Sequence, residues 1–392
     1  MDNAMYLIMM GIGSNIFRKI VSKDILHIFN RLAIGSRHSM IQRKLQIILI
    51  ALLFTKCPGI LAGAPIPNVE LSEVRSVEWD GSHNAFTDLA WFRGRIYLTF
   101  RSCPDGHMVH PTSIIKVLSS SDGDSWREDY SFSVPDRDTR DPHFVKLGDK
   151  LFIYSGTWYC GEHRPNIRNM NQMLGYGVST TDGKHWTQPF QLNGTYGHYV
   201  WRGAAYDGAI YLCARRRRNF TEITDLSKHT PLVESRILKS DDGVSFRDVG
   251  FFQSEYGDET AFSFEPNGAI HAVSRRGGGK TAQLIKLNPP YTKPEHTDLG
   301  RYIGGPMVFS YGEHSLVAGR NIRNGKALTN VSVLRDGKLV DLIDLPSGGD
   351  CSYPGMVTLC PGCILVSWYS SHLKDEQDRP KTTVFTAKLS FN

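Results

Sequence analysis

Long hydrophobic runs are scarce in this 392-residue chain. The clearest is a ten-residue, largely apolar run, Leu45–Phe54, which is too short to cross a bilayer as a helix. Helical periodicity is absent after residue 65, which argues against a helical fold. Basic runs are scarce as well. Only Arg215–Arg218 forms one, so the net charge of +6 does not indicate a nucleic-acid-binding protein.

The short apolar run has the surroundings of a secretory signal peptide. Arg43 and Lys44 precede it, and the small residues of "ILAGA" follow it. We therefore predict a leader over residues 1–64, with the signal peptide at about 40–64, and a single folded domain over 65–392. Such a chain would be secreted or otherwise extracytoplasmic, with no stable membrane insertion after cleavage.

Metal-binding motifs are also missing. The "CPGC" segment, Cys360–Cys363, places two thiols across a Pro-Gly turn, but no second Cys or His pair follows at a suitable spacing. The histidines are scattered without ligand spacing, so we expect no metal and no cofactor. The six cysteines after the leader are an even number, which is compatible with disulfides in an exported chain.

The chain contains a repeated strand pattern. Apolar residues lead into a Gly-containing turn and leave it as a β-rich run, which predicts β-hairpins. Six segments show it: "LAWFRGRIYLTF", "HFVKLGDKLFIYSG", "AAYDGAIYLCA", "FSFEPNGAIHAVS", "MVFSYGEHSLVAG" and "MVTLCPGCILVSW". A second set of hairpins alternates with these, and its last member combines "TTVFTAKLS" with the early strand "VRSVEW". The sequence therefore predicts an all-β, six-bladed β-propeller of four-stranded antiparallel sheets, whose last blade is closed by both chain ends.

One turn recurs on the second set of hairpins. It reads "LSSSDGDSW", "VSTTDGKHW" and "LKSDDGVSF", with Asp122, Asp182 and Asp242 sixty residues apart. An Asp-Gly turn with nearby hydroxyls and a following aromatic residue indicates a structural role. These segments resemble the Asp-box (BNR) repeats, S-x-D-x-G-x-x-W, of sialidases (neuraminidases) and related propellers. In two of the three the acid is shifted by one position, because Ser121 and Thr181 occupy its usual place, where the third has Asp241.

A propeller brings the starts and ends of its inner hairpins to one end of the central channel. These positions include Thr87-Asp88, Arg140-Asp141, Trp201-Arg202 and Asp258-Glu259 at the starts, and Arg101, Arg215-Arg216, Arg275-Arg276, Arg320 and Tyr369 at the ends. Arginine forks bind carboxylates through two hydrogen bonds, so the ring predicts a polar, anionic ligand such as a glycan or glycoconjugate. Trp201 is a further candidate for contact with a sugar ring.

The resemblance to sialidases covers roughly residues 75–390 as repeats, and its motifs are specific from about 255 to 360. "DETAFSFEPNGAIHAVSRR" implies that Glu259 is a catalytic glutamate and Arg275 a carboxylate-binding arginine. "CSYPGMVTL" implies that Tyr353 is the nucleophile, and Arg320 or Arg323 would be a further arginine, with Arg320 preferred. The family's acid would be sought at Asp105, in "RSCPDGH".

The resemblance implies a retaining exo-α-sialidase-type glycoside hydrolase in which Tyr353 attacks the sugar and Glu259 serves as its base. One departure concerns the first arginine of the family's triad. "FTDLAW" has Thr87 at that position, where Arg101 or Arg202 would have to substitute.

Two alternatives remain open at this point. "TRDPHFVKLGDKLFIYSG" resembles the invertase-like and arabinanase-like propeller glycosidases, which place one acid on each of three blades. In that reading Asp88 is the nucleophile or base, Asp141 orients the substrate and Glu259 is the acid. The other alternative is a glycan-binding propeller without catalysis, which the absence of arginine at position 87 favours.

Overall fold

The computed structural model describes residues 65–161, 169–223 and 225–391. The predicted leader and signal peptide lie outside the described residues. The described part of the chain forms six four-stranded antiparallel sheets, which confirms the predicted six-bladed β-propeller. None of the helices in these three ranges has the length and apolar character needed to cross a membrane.

The strands follow the chain order within each blade, with one exception. Blade 1 contains β2 (His83–Phe92), β3 (Arg95–Cys103), β4 (Ile114–Ser120) and β5 (Arg127–Phe132). Blade 2 contains β6 (Arg137–Leu147), β7 (Lys150–Tyr159), β8 (Leu174–Thr180) and β9 (Phe190–Gln191). Blade 3 contains β10 (Tyr199–Tyr206), β11 (Ala209–Arg217), β12 (Val233–Ser240) and β13 (Arg247–Gln253).

The remaining blades complete the ring. Blade 4 contains β14 (Gly257–Phe264), β15 (Ile270–Arg276), β16 (Gln283–Leu287) and β17 (Glu295–Asp298). Blade 5 contains β18 (Gly304–Tyr311), β19 (His314–Arg323), β20 (Lys326–Arg335) and β21 (Lys338–Leu345). Blade 6 contains β22 (Cys351–Cys360), β23 (Cys363–Lys374), β24 (Pro380–Phe391) and, as its outer strand, β1 (Val69–Glu78).

Both ends of the described domain therefore share one sheet. β1 pairs antiparallel with β24, as in the register Val69 to Phe391, and this pairing closes the ring. Short 3-10 helices lie in the connections, at Met170–Gln172, Arg218–Phe220, Leu226–Lys228, Thr230–Leu232 and Gly277–Gly279. The first strands of neighbouring blades contact one another around the ring, so β2, β6, β10, β14, β18 and β22 surround the central channel.

The hydrophobic core lies between the blades. Each pair of neighbouring blades encloses its own cluster of buried residues, and a seventh cluster lies at the channel, where it includes Phe86, Tyr199, Trp201 and Tyr353. Most positions of the inner strands are therefore buried, because each inner strand packs against two neighbours.

The three recurring turns share one hydrogen-bond pattern. In the second, Asp182 Oδ1 accepts from the backbone N–H groups of Lys184 and His185 at 2.8 Å, and Thr180 Oγ1 accepts from Gly183 N. Asp122 and Asp242 make the equivalent contacts in the other two turns. In the third turn, Asp241 instead pairs with the exposed Arg247. The acid that organises all three turns is therefore the one before the glycine.

These turns also join neighbouring blades. Tyr97 of blade 1 donates a hydrogen bond to Gly183 O in blade 2, and Tyr154 of blade 2 donates to Gly243 O in blade 3. Trp186 stacks on Tyr130 of the preceding blade, with ring centroids 5.8 Å apart. The sixty-residue period follows from the blade repeat, because each of these turns joins the third and fourth strands of one of blades 1, 2 and 3.

The six cysteines of the described residues are free thiols. Cys360 and Cys363 are register partners across their hairpin, as the Pro-Gly turn predicted, without a disulfide between them.

Candidate active site

Every inner strand contains a β-bulge at the same level of the channel. In each first hairpin of a blade, two residues of the inner strand stand opposite one residue of the next strand. The bulged pairs are Phe86-Thr87, Asp141-Pro142, Trp201-Arg202, Asp258-Glu259, Gly305-Pro306 and Tyr353-Pro354. Bulges redirect side chains and occur next to active sites, so six of them build one ring of functional groups.

Four of these bulges begin with a residue in the left-handed backbone region: Phe86 (φ 66°), Asp141 (φ 52°), Gly305 (φ 55°) and Tyr353 (φ 51°). Non-glycine residues there carry a conformational cost of about 1–3 kcal/mol each, and such positions cluster at functional sites. Proline follows three of the four. A bulge residue is left out of the ladder, so a missing backbone N–H costs little there.

The ring encloses a cavity of about 210 Å³. Its lining combines aromatic, acidic and basic side chains from blades 1, 2, 3, 4 and 6. The lining residues are Phe86, His107, Val109, Arg140, Asp141, Trp158, Tyr199, Arg215, Glu259, Arg275 and Tyr353. The cavity therefore contains Tyr353, Glu259, Arg275 and Asp141 from the set predicted from the sequence.

Tyr353 and Glu259 form a buried pair within this cavity. The Tyr353 hydroxyl donates a hydrogen bond to Glu259 Oε1. The other carboxylate oxygen accepts from Arg275 at 3.0 Å and from the backbone N–H of Gly305 at 2.9 Å. Gly305 also makes room for the tyrosine, because a Cβ at this position would lie 2.6 Å from the Tyr353 ring.

The electrostatics of the pair keep the proton on the tyrosine. Burial raises the pKa of Tyr353 well above its ordinary value, and the Glu259 charge raises it further. Burial would also raise the pKa of Glu259, but the charges of Arg275 and Arg215 and the hydrogen bond from Tyr353 lower it to about 2. Free tyrosine is a weak nucleophile, and an adjacent carboxylate is the kind of base that activates it.

A second tyrosine–carboxylate pair lies in the same cavity. Tyr199 donates to Asp141 Oδ2 at 2.6 Å, while Asp141 Oδ1 is buried without a hydrogen-bond partner. Burial raises the pKa of Asp141, with a further increase from the Glu259 charge, and Arg140 and the Tyr199 hydrogen bond only partly offset it. A carboxyl group that holds its proton to higher pH can act as a general acid.

Three arginines line the cavity. Arg275 contacts Glu259 and lies 3.1 Å from Asp258 Oδ2, and Arg215 pairs with the other oxygen of Asp258. Arg140 donates to Asp138 at 3.0 Å and lies over the Phe86 ring. The lining thus carries three guanidinium groups against the two carboxyl groups of Asp141 and Glu259.

The structure places Arg320 beside the cavity and Arg101 beneath it. Arg320 contacts the Tyr302 hydroxyl at 3.4 Å, and Arg275 lies over the same tyrosine ring, so the two arginines are neighbours. Arg101 is fully buried and donates to Asp138 and to the carbonyls of Gly106 and Met108. Its guanidinium therefore holds the loop after β3 and has no surface for a ligand.

Arg202, Asp88 and Trp201 belong to the interior of the channel. Arg202 donates to Asp88 Oδ1 at 3.1 Å and to the carbonyls of Pro306 and Pro354 at 2.8 and 2.6 Å. Trp201 has no exposed surface. None of the three lines the cavity, so Asp88 does not join Asp141 and Glu259 as a third acid there.

Two further predicted positions lie outside the cavity. Asp105 is exposed and accepts a hydrogen bond from Thr112 at 2.5 Å. Thr87 donates to the carbonyl of Tyr353 at 2.7 Å and so supports the bulge of the tyrosine from behind. Within the Phe86-Thr87 bulge, Phe86 lines the cavity and Thr87 does not.

Several lining residues were not singled out as site residues from the sequence. Arg140 and Arg215 stood among the strand starts and ends, but Tyr199, Trp158 and His107 carried no motif. Their usable signal is the repeat itself. When the bulges of the six blades are aligned, Arg140 directly precedes the bulge of blade 2, and Tyr199 lies shortly before the bulge of blade 3.

A third group of side chains lies next to the cavity. His83 Nε2 and His107 Nδ1 lie 2.9 and 2.7 Å from Asp350 Oδ2, and the two ring nitrogens are 3.2 Å apart. Within the described ranges, these residues form a group whose ligand atoms are close enough to hold one metal ion.

No protein-family profile and no curated protein sequence matches this chain. Solved structures do. A Dyadobacter fermentans protein of unknown function matches with a TM-score of 0.69 and 20% identity, over 83% of this chain and 100% of that chain.

Sialidases also match. Trypanosoma rangeli sialidase matches with a TM-score of 0.57 and 13% identity, over 78% of this chain and 55% of the sialidase. Streptococcus pneumoniae NanB sialidase, as its K499G mutant, matches with a TM-score of 0.56 and 12% identity, over 82% of this chain and 71% of that one. The match thus spans only about half of the trypanosomal enzyme. This chain has the sialidase-like six-bladed β-propeller fold.

Proposed function

We propose that this protein is a retaining glycoside hydrolase that uses Tyr353 as its nucleophile. The observation that supports this most strongly is the Tyr353–Glu259 hydrogen bond inside a small cavity that also holds Asp141. Glycosidases of the sialidase type are the exception to the rule of two catalytic carboxylates, because they use tyrosine in place of one of them.

In the first step the phenol oxygen of Tyr353 bonds to the anomeric carbon while its proton passes to Glu259 Oε1. The bond from that carbon to the leaving oxygen breaks, and Asp141 gives its proton to this oxygen. In the second step water attacks the anomeric carbon and gives a proton to Asp141. The bond from that carbon to the Tyr353 oxygen breaks, and this oxygen recovers its proton from Glu259. The burial and raised pKa of Asp141 suit the acid role, whereas the exposed Asp105 lies outside the cavity.

Arg275 links substrate binding to the strength of the base. In the resting site its charge lowers the pKa of Glu259. An anionic group of the substrate that binds Arg275 would offset this charge, so the pKa of Glu259 would rise towards that of a useful base. A substrate with a negative charge would therefore be activated more effectively than a neutral one.

We propose terminal anionic sugars as the substrate class, with exo-α-sialidase-type cleavage as the first activity to test. The three arginine side chains that line the cavity support this choice, because guanidinium groups bind carboxylates. Trypanosoma rangeli sialidase, which shares the fold, has been captured as a covalent intermediate with 2,3-difluorosialic acid. We also propose that the protein acts outside the cytoplasm, on the basis of the signal-peptide pattern at residues 40–64.

The test compares hydrolysis of fluorogenic glycosides, including a sialoside, by the wild type and two matched tyrosine variants. Tyr353→Phe and Tyr199→Phe each remove one hydroxyl that donates to a carboxylate in the same cavity. We expect Tyr353→Phe to lose turnover and Tyr199→Phe to retain part of it. Mass spectrometry after treatment with a 2,3-difluorosugar should find a covalent adduct on Tyr353.

The alternatives give different outcomes. Hydrolysis that survives Tyr353→Phe but is lost in Asp88→Asn would indicate the carboxylate mechanism. Saturable binding of glycans with no turnover of any of them would indicate a glycan-binding propeller. Either result would overturn the proposed mechanism.

A further inference from the structure

We infer that His83, His107 and Asp350 form a binding site for one divalent transition-metal ion of the Zn²⁺ type, in the wall of the active-site cavity. The three residues come from separate parts of the chain. His83 begins β2, His107 lies in the loop after β3, and Asp350 directly precedes β22. The ring closure of the propeller brings them together.

The geometry suits a small metal ion. Zn²⁺ binds imidazole nitrogen and carboxylate oxygen at about 2.0–2.2 Å, usually with tetrahedral coordination, which sets ligand atoms about 3.3 Å apart. The three ligand atoms here are separated by 2.7, 2.9 and 3.2 Å. They need to spread by only a few tenths of an ångström to admit the ion.

The chemistry of the three ligands also fits. Two imidazoles and a carboxylate are typical of zinc and related transition metals, whereas Ca²⁺ and Mg²⁺ prefer all-oxygen sites. Three protein ligands leave a coordination position open, as in catalytic zinc sites. His107 both belongs to this group and lines the cavity, so an open position would be near the substrate.

A second layer of contacts orients the carboxylate. Asp350 Oδ1 accepts a hydrogen bond from the Tyr369 hydroxyl at 2.9 Å and lies 3.5 Å from Arg320. These partners occupy one oxygen and direct Oδ2 towards the two histidines. Outer contacts of this kind are the usual support of metal ligands.

Hydrogen bonding alone explains the group less well. If no cation is bound, the two nitrogens, only 3.2 Å apart, either both direct protons at the same oxygen or one of them faces the carboxylate with a lone pair. A divalent cation uses the lone pairs of all three atoms and removes this crowding. The inference does not depend on the proposed glycosidase activity, because metal binding is measured without a substrate.

The experiment measures Zn²⁺ binding to the untagged full chain by isothermal titration calorimetry, after treatment with chelator and dialysis into metal-free buffer. Co²⁺ serves as a spectroscopic probe, since a tetrahedral nitrogen and oxygen site gives visible absorption bands. All proteins carry Cys360→Ser and Cys363→Ser, because these paired free thiols are an independent source of zinc binding. His185→Ala is the matched control, as His185 also contacts an aspartate but at an exposed turn.

We expect one equivalent of Zn²⁺ to bind the parent and the His185→Ala protein alike. Tyr369→Phe should weaken binding about 10- to 100-fold by releasing the carboxylate. His107→Ala and Asp350→Asn should weaken it further and abolish the Co²⁺ bands. His107 is exposed, so its loss should leave the fold intact. No saturable binding by the parent, or equal binding by His107→Ala, would overturn the inference.

Discussion

Arg202 provides the sharpest test of how the channel supports the site. The sequence suggested a substrate-binding role, whereas the structure shows a buried guanidinium that joins four blades. It pairs with Asp88 of blade 1 and donates to the carbonyls of Pro306 in blade 5 and Pro354 in blade 6. Both prolines belong to the bulges that present Gly305 and Tyr353. We therefore expect Arg202→Met to destabilise the whole ring.

The magnitude follows from what the substitution leaves behind. Asp88 is only 5% exposed, so its charge would remain buried without its arginine, with only the Phe144 N–H at 2.9 Å and His143 at 3.4 Å beside Oδ2. The two carbonyls would lose their donor. Removing one partner of a buried ion pair costs about 3–5 kcal/mol. With an unfolding entropy of about 2.1 cal/mol/K per residue, this corresponds to a fall in melting temperature of roughly 4–7 °C for a domain of this size.

The assay is thermal and urea-induced unfolding of the wild type, Arg202→Met, Asp88→Asn and the double variant. Because the two side chains contact each other, the double variant should be more stable than the sum of the single effects predicts, by at least about 1 kcal/mol. Arg247→Met is the control. It removes an exposed arginine that also pairs with an aspartate, and it should leave unfolding almost unchanged.

Two results would refute this reasoning. One is a melting temperature for Arg202→Met that matches the wild type. The other is an additive double variant. A raised KM with unchanged stability would instead support the substrate-binding role.

Four further changes have defined expectations. Asp141→Asn should slow hydrolysis of glycosides with poor leaving groups about 10²- to 10⁴-fold and spare those with acidic leaving groups. It should also remove the alkaline limb of the pH profile of kcat/KM, because that limb would report loss of the proton of the general acid, and the pKa of Asp141 is raised. Glu259 has a folded-state pKa of about 2, below its ordinary 4.5, so its contribution to the stability of the fold is complete above pH 4.5 and is lost as the pH falls towards 2. The free energy of unfolding of Glu259→Gln should therefore depend less steeply on pH than that of the wild type between pH 4.5 and 2. Asp182→Ala should lower the melting temperature by removing the acceptor of two backbone N–H groups, while Asp241→Ala should not, as differential scanning calorimetry would report. Gly305→Ala should lower kcat by displacing the Tyr353 ring, and equal rates would contradict the close packing at this bulge.

The fold was predictable because its signals are local. Each hairpin has its own turn and its own alternation of apolar residues, and the sixty-residue period reflects one Asp-Gly turn in each of blades 1, 2 and 3. The closure of the last blade was also predictable, since an unpaired strand remained at each end of the domain. No long-range information was needed for these features.

The site was predictable only in part. The Tyr353–Glu259 pair and Arg275 were proposed from segments that resemble a known family, and the structure brings all three to one cavity. The roles suggested for Arg101, Arg202 and Trp201 came from their position along the strands. That position does not reveal whether a side chain faces the cavity or the buried channel, because a bulge changes the direction of the residues that follow it.

The amino-acid sequence alone determined the hairpins, their repeat and hence the six blades, since these depend on turn residues and on alternation over a few positions. The tertiary structure alone decided which side chains meet. Tyr353 and Glu259 are 94 residues apart along the chain, and His83 and Asp350 are 267 apart. Contacts over such distances exist only after the ring has closed, because closure sets the first and last blades side by side and turns six equivalent bulges towards one axis.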